Sequence, residues 1–377
     1  MRRAKRTILI AMLILAGFVP VCWAGSDKPL SGRELLKMMR GKDRQPAQRR
    51  GTRDTPANKS HPSASELLDK FAETQDKLRS YIIKSESWSE FSLQTLGRKR
   101  RIDCICEVRY DGTQKQGNRV KLRKLTWGRV GTRDVPKDDP VYTSWLWDGE
   151  NYMRYSGVPK EDAKPGVCPG RVRPYMSGKD EITNGRLTSR MYGTALTGYL
   201  SSSEDRVDKV LREAREISVR RETEKVGGVE CYVIDADTNH GKHVLWIDPE
   251  HGYNIAKAEV ELLRGEGHFF YGKPFEIAGK KLDFSLENLR FKKTDGIWLP
   301  VEADMRYRRA FSGIGKTSDS RTHIKVAEIV LNPDHEALRS FSPHDIPNGA
   351  QVTAYVDLNS GFITAWDPLY CWQATRN

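Results

Sequence analysis

The chain has 377 residues, 38% of them hydrophobic and 30% charged, with 14 Tyr, 11 Phe and 9 Trp. That apolar content can build a core and excludes a wholly disordered chain, and the length suits one large domain or two smaller ones. A net charge of +13 would fit a nucleic-acid binder, but residues 25–62 alone hold ten Lys/Arg against four Asp/Glu, and from Ser63 onward 49 basic residues face 46 acidic ones, so the basicity is N-terminal and no nucleic acid is expected as a partner.

Arg2, Arg3, Lys5 and Arg6 precede an uncharged stretch from Thr7 to Cys22 and then Trp23-Ala24-Gly25, the layout of a secretory signal peptide over 1–24. The apolar run is shorter than the roughly 20 residues that span a bilayer. Cys22 is a poor lipidation site, because Val19-Pro20-Val21 before it does not make a lipobox. The expectation is a mature protein that begins near Gly25 and resides in the periplasm or is otherwise secreted to the cell envelope. Residues 25–62, polar and rich in Arg, Lys, Pro and Ser, read as a basic disordered linker that offers peripheral contact to anionic lipid headgroups or wall polymers.

Order is expected from Ser63. Ser63-Ala64-Ser65-Glu66 has N-cap hydroxyls with a glutamate three residues on, and Leu67, Leu68, Phe71, Leu78 and Tyr81 recur at helical spacing, so the pattern predicts a helix over 64–80. The period then changes to two. Strands are predicted over 81–91, 101–110, 119–127, 142–147 and 151–155, the last pair joined by Asp148-Gly149. A looser stretch follows over 157–180, then helices over 187–200 and 204–216. Six more strands, 229–235, 243–247, 253–263, 281–291, 297–307 and 322–331, are separated by short turns such as Gly227-Gly228 and Asp295-Gly296, which implies antiparallel pairing. Leu282, Phe284 and Leu286 alternate with Asp283, Ser285 and Glu287, so one face is apolar and the other wet. The fold class expected is mainly β with an α lid: about eleven antiparallel strands in a curved half-barrel over an apolar cavity, partly covered by helices. Ala350 to Val356 and Gly361 to Trp366 are strand-like segments in a C-terminal extension over 346–377.

Five cysteines remain beyond the signal: Cys104, Cys106, Cys168, Cys231 and Cys371. An odd number leaves at least one thiol unpaired. Cys104 and Cys106 share the apolar side of one strand, where they are badly placed to bond each other; a disulfide to a neighbouring strand and buried free thiols both remain open.

The helix Ala64-Ser65-Glu66-Leu67-Leu68-Asp69-Lys70-Phe71 leading into Leu78-Arg79-Ser80-Tyr81, with Trp147-Asp148-Gly149 in a hairpin, resembles the start of the periplasmic outer-membrane lipoprotein-sorting, or lipoprotein-carrier (LolA/LolB-like), family. Gly227-Gly228-Val229-Glu230-Cys231-Tyr232, Leu245-Trp246-Ile247-Asp248-Pro249 and Asp295-Gly296-Ile297-Trp298-Leu299-Pro300 extend the likeness over roughly 63–345. The resemblance implies an open half-barrel lidded by helices, whose cavity in the carriers holds lipoprotein acyl chains. The same scaffold also serves sensing regulators.

Trp88, Trp145, Trp147, Tyr152, Trp246 and Trp298 are the candidate walls of such a cavity, and alternation puts Trp145 and Trp147 on one face. His240, His243 and His251, with Asp248 and Glu250, have zinc-ligand chemistry, but a hairpin scatters them over two faces, so no metal is assigned. The sequence contains no Gly-x-Ser-x-Gly elbow, His-Glu-x-x-His helix or P-loop, and no enzyme activity or cofactor is expected; a glycosidase-like carboxylate pair stays open. The function expected is binding of a lipid or lipoprotein acyl group in an apolar cavity. The alternative is a non-enzymatic envelope sensor or interaction module that binds a protein partner.

Overall fold

The computed structural model describes residues 61–352 except 94–97, 114–117, 131–132, 150–151, 176–193, 201–204, 271–272, 276–279 and 312–316. The expected signal peptide, residues 25–60 of the expected linker over 25–62, Cys371 and the strand-like residues beyond Val352 lie outside the described residues.

Helix α1 (Ala64–Gln75) begins at a capping box: the Ser63 hydroxyl accepts from the Glu66 backbone N–H, and the Glu66 carboxylate accepts from the Ser63 N–H at 2.6 Å. It ends five residues before the expected Ser80, because the chain turns at Asp76, whose N–H returns to the Ala72 carbonyl, and Ser80 enters the sheet. The strands follow as β1 (Ser80–Leu93), β2 (Arg98–Asp111), β3 (Arg119–Val130), β4 (Arg133–Val135), β5 (Val141–Trp147), β6 (Tyr152–Gly157) and β7 (Gly170–Tyr175). Of the two helices expected next, residues 194–197 form a single 3-10 turn, and only Val207–Arg212 forms α2; residues 187–193 lie outside the described residues. Glu216, the last residue of the expected helix, instead begins strand β8 (Glu216–Val219), whose β-branched Ile217 and Val219 pair with Ala236 and Ile234 of the sheet edge. Then come β9 (Glu224–Val226), β10 (Val229–Thr238), β11 (Gly241–Asp248), β12 (Asn254–Leu263), β13 (Phe269–Phe270), β14 (Lys273–Pro274), β15 (Lys281–Thr294), β16 (Ile297–Ala310), β17 (Thr317–Leu331) and β18 (Gln351–Val352).

Sixteen of these strands form one curved, unclosed sheet, mainly antiparallel, in the spatial order β18-β7-β6-β5-β3-β2-β1-β17-β16-β15-β12-β11-β10-β8, with β4 on β3 and β9 on β10. The mainly β, curved-sheet expectation holds. The count exceeds eleven because short strands such as β4, β7, β8 and β9 carry too few residues for a visible alternation. Tight hairpins set the register: Asp295 and Gly296, at φ 48° and 79°, form a two-residue loop between Thr294 and Ile297, the left-handed geometry that an Asp-Gly turn supplies at low cost.

Residues directly opposite one another on paired strands share a face, which lets the two faces be traced across the sheet. Helices α1 and α2 sit on the inner face: Leu67, Leu68 and Phe71 of α1 and Val207 and Leu211 of α2 pack with Ile234, Leu245, Ala258, Phe284, Ala303 and Ile324 in the main core. Each such large apolar side chain, fully buried, contributes about 1.5–3 kcal/mol. The outer face of β3 and β5 carries a second layer, residues 333–350, whose Ile346 and Ala350 pack with Tyr142, Tyr155 and Val172. Ile346 and Ala350, at the start of the C-terminal extension, thus pack on this face, and β18 adds to the sheet edge parallel to β7.

Candidate functional site

From β1 across β2, β3, β5 and β6 the inner face runs in rows set by register. One row is Tyr81, Tyr110, Val120, Trp147 and Tyr152; the next is Ile83, Val108, Leu122, Trp145 and Arg154. Cys104, Cys106, Val108, Val120, Leu122 and Trp147 are buried together, with Tyr81, Tyr110, Trp145 and Tyr152 against them. Tyr81 stacks on Tyr110 with ring centroids 5.1 Å apart, and burial pushes both phenols up, with Tyr199 from the segment after the 3-10 turn close to both. Leu196 of that turn, with Leu78, Tyr81, Ile83, Leu299, Ile324 and their neighbours, encloses an almost wholly apolar cavity of about 30 Å³ between the helix-covered half of the sheet and this aromatic half. It has room for a water-sized molecule.

Three of the six aromatic candidates, Trp145, Trp147 and Tyr152, therefore come together on the inner face. The other three do not. Trp88 is opposite His323 and Asp103 on the outer face, stacked on the His323 ring at 5.8 Å, because the inner positions of β1 around it are Ser85, Ser87 and Ser89. Trp246 packs on the outer side with Cys231, Val233 and Ala256; its indole N–H donates to Glu224 at 2.8 Å and Lys257 lies over its ring. Trp298 sits against the His251 ring, edge-on at 4.7 Å, beside the turn before β12. Sequence reading missed the inner serines and Lys124, because a strand is expected to present its apolar residues inward and β1 presents hydroxyls.

The histidines separate along β11. His243, 2% exposed, bonds the Gly241 carbonyl through Nδ1, and burial pushes its pKa down to about 4. His251 is held at the far end by Asp248, Nδ1 to Oδ2 at 2.6 Å. Among the described residues there is no group of three or more His, Cys, Asp or Glu placed to hold a metal ion. Cys104, Cys106, Cys168 and Cys231 are free thiols, so of the two cysteine readings the structure takes the unpaired one. No helix among the described residues is long and apolar enough to cross a membrane.

The outer face carries charge chemistry of a structural kind. Lys121, 1% exposed, donates from Nζ to the Ser342 carbonyl at 2.6 Å and to Asp345 Oδ1 at 2.5 Å, while the Tyr142 hydroxyl donates to Asp345 Oδ2 at 2.6 Å. Burial opposes the Asp345 charge, but Lys121 and the donated hydrogen bonds outweigh it and hold the carboxyl below its usual range. For Lys121 burial prevails and pushes the amine down. The 2.5 Å contact, with Tyr142 donating to the same carboxylate, marks the two as an ion pair.

No family model matches this chain, and neither does any curated protein. Among solved structures it is similar to a DUF1329 family protein from Desulfovibrio piger, at 15% identity over 74% of this chain and 97% of that one, with a TM-score of 0.37. It is also similar to the MucA/MucB complex of Pseudomonas aeruginosa, at 8% identity over 71% and 99% with a TM-score of 0.21, and to MucB, at 11% identity over 74% and 96% with a TM-score of 0.23. Identities and TM-scores this low transfer no property to the chain.

Proposed function

We propose that this chain is a non-enzymatic protein of the cell envelope that takes an apolar group, an acyl chain of a lipid or lipoprotein, onto the inner face of its sheet. The observation that carries the reading is the continuity of that face: the apolar core under α1 and α2 runs on through the small cavity into the Tyr81, Trp145, Trp147 and Tyr152 surface. Burial of about ten methylenes at ~0.8 kcal/mol each gives ~8 kcal/mol, a micromolar affinity before the cost of association. The cavity of about 30 Å³ is too small for an acyl chain, so the cargo displaces Leu196 and Tyr199 from the face.

Native mass spectrometry of the protein purified without detergent from its producing cells, followed by extraction of bound lipid, tests this. A stoichiometric acyl ligand is the expected result. A clean apo mass, with no binding of a fluorescent fatty acid at micromolar concentration, sinks it.

The tight packing of the same cavity favours a second reading, an interaction module whose partner is a protein. Its unclosed edge strand β8, with Ile217 exposed, is where an added strand would pair. An apo mass together with a co-purifying protein would put this reading first.

A further inference from the structure

The inner face is selective in charge as well as in polarity. Across eight neighbouring strands, in the order β16-β17-β1-β2-β3-β5-β6-β7, the described side chains at inner positions include no Asp or Glu. They do include Arg100, Lys124, Arg154, Arg171 and Arg309. The outer positions of the same strands carry Glu86, Glu90, Asp103, Glu107, Asp304 and Glu328, so the missing acids are a property of one face and not of the composition.

The face also grades along the strands. The two apolar rows end at a third made of Ser85, Cys106, Lys124, Thr143 and Ser156, followed by Ser87, Cys104 and Thr126. Ser85, Ser87 and Thr143 are buried, and Cys104 lies between Ser87 and Thr126 in register, near enough to Lys124 for its ammonium to favour the thiolate. Arg154 lies one row away with its guanidinium over the Trp145 ring at 5.2 Å. Half-buried cations bordered by hydroxyls and by an apolar surface suit a ligand with one anionic end and one apolar end, because an anion there forms charge-assisted hydrogen bonds in a medium of reduced dielectric.

We propose that Lys124 and Arg154, with the Thr126 and Thr143 hydroxyls beside Lys124, bind the anionic head group, a carboxylate or a phosphate, of an amphiphile whose acyl chain lies along Leu122, Trp147 and Tyr152. This rests on the apolar-cargo reading above and gives its cargo a charge.

The test is isothermal titration of the full mature chain with three oleoyl probes below their aggregation concentrations: oleate, oleoyl lysophosphatidate and neutral oleyl alcohol. The two anions are expected to bind about tenfold tighter than the alcohol, a difference of ~1.4 kcal/mol. Lys124→Gln should remove most of that preference by weakening the two anions more than the alcohol, whereas Lys124→Arg keeps it. A phosphate bound more tightly than the carboxylate points to a phospholipid source, and the reverse order to free fatty acid. Equal affinity of the wild type for all three probes overturns the head-group site and leaves the apolar-cargo reading standing; no binding of any probe overturns both.

Discussion

Lys121 and Asp345 meet at 2.5 Å across the outer face of the sheet, both almost fully buried, and this contact fastens the returning C-terminal segment to β3. Arg109 to Ser340, His335 to the Tyr110 carbonyl and Arg119 to Glu336 hold the same segment. Removing one partner leaves an uncompensated buried charge, which typically costs ~3–5 kcal/mol. Lys121→Met and Asp345→Leu should each destabilise by about that amount in urea unfolding, and the double variant should cost less than the sum of the two. Additivity of the two losses would mean that the pair is not coupled. The Asp345 carboxyl, held low in the fold, contributes stability that is present above its unfolded pKa of about 4 and is lost as pH falls through the folded value.

Strands whose inner residues are apolar were legible in the sequence. Leu282, Phe284 and Leu286 on β15, and Ala303 and Met305 on β16, alternate with polar neighbours and lie inward as the pattern predicts. On β1 the same logic misleads: hydrophobic Trp88 is outward and the serines inward, because β2 and β17 already supply the buried neighbours. Trp246 fails for a related reason. On β11 both faces are buried, so burial of an aromatic says nothing of its side. The charge asymmetry of the inner face was illegible without register, since it appears only when alternate positions of eight strands are aligned.

His243 links stability to pH. Burial lowers its pKa from 6.5 to about 4, so the unfolded chain takes up the proton first as the medium is acidified. Its contribution is complete above about pH 6.5 and declines as pH falls toward 4, by roughly 3 kcal/mol in all at ~1.36 kcal/mol per unit. The measurement is denaturant unfolding from pH 7 to pH 4 for the wild type and His243→Gln. The variant should show a shallower loss over that window, and parallel curves would remove His243 as the cause.

Gly198 couples α1 to the segment over the inner face. It has φ +89°, and a Cβ there would lie 2.6 Å from Phe71 Cζ, a ring that is 1% exposed and has nowhere to go. Gly198→Ala should therefore cost about 2 kcal/mol, from backbone strain and displaced packing together. A lower urea midpoint with an unchanged slope is the expected readout, accompanied by greater binding of an apolar dye as Leu196 and Tyr199 lose their seat. A variant as stable as the wild type would show that this segment is not held by Phe71.

The thiols report whether the inner face is closed in solution. Cys104 and Cys106 lie on it, almost fully buried, and desolvation pushes both thiols up; Cys231 on the outer side is pushed up to about 12, while Cys168 is exposed. Alkylation needs both thiolate and access. Iodoacetamide treatment at pH 8, followed by peptide mass mapping, should modify Cys168 first and leave Cys104, Cys106 and Cys231 intact until denaturant is added. Lys124 makes Cys104 the sharper probe, because its ammonium favours the thiolate and so offsets part of the desolvation. Slow labelling of Cys104 then has to come from exclusion of water and reagent rather than from its neighbours. If Cys104 reacts as fast as Cys168, the face is open without cargo, and an acyl chain would have no cover to displace.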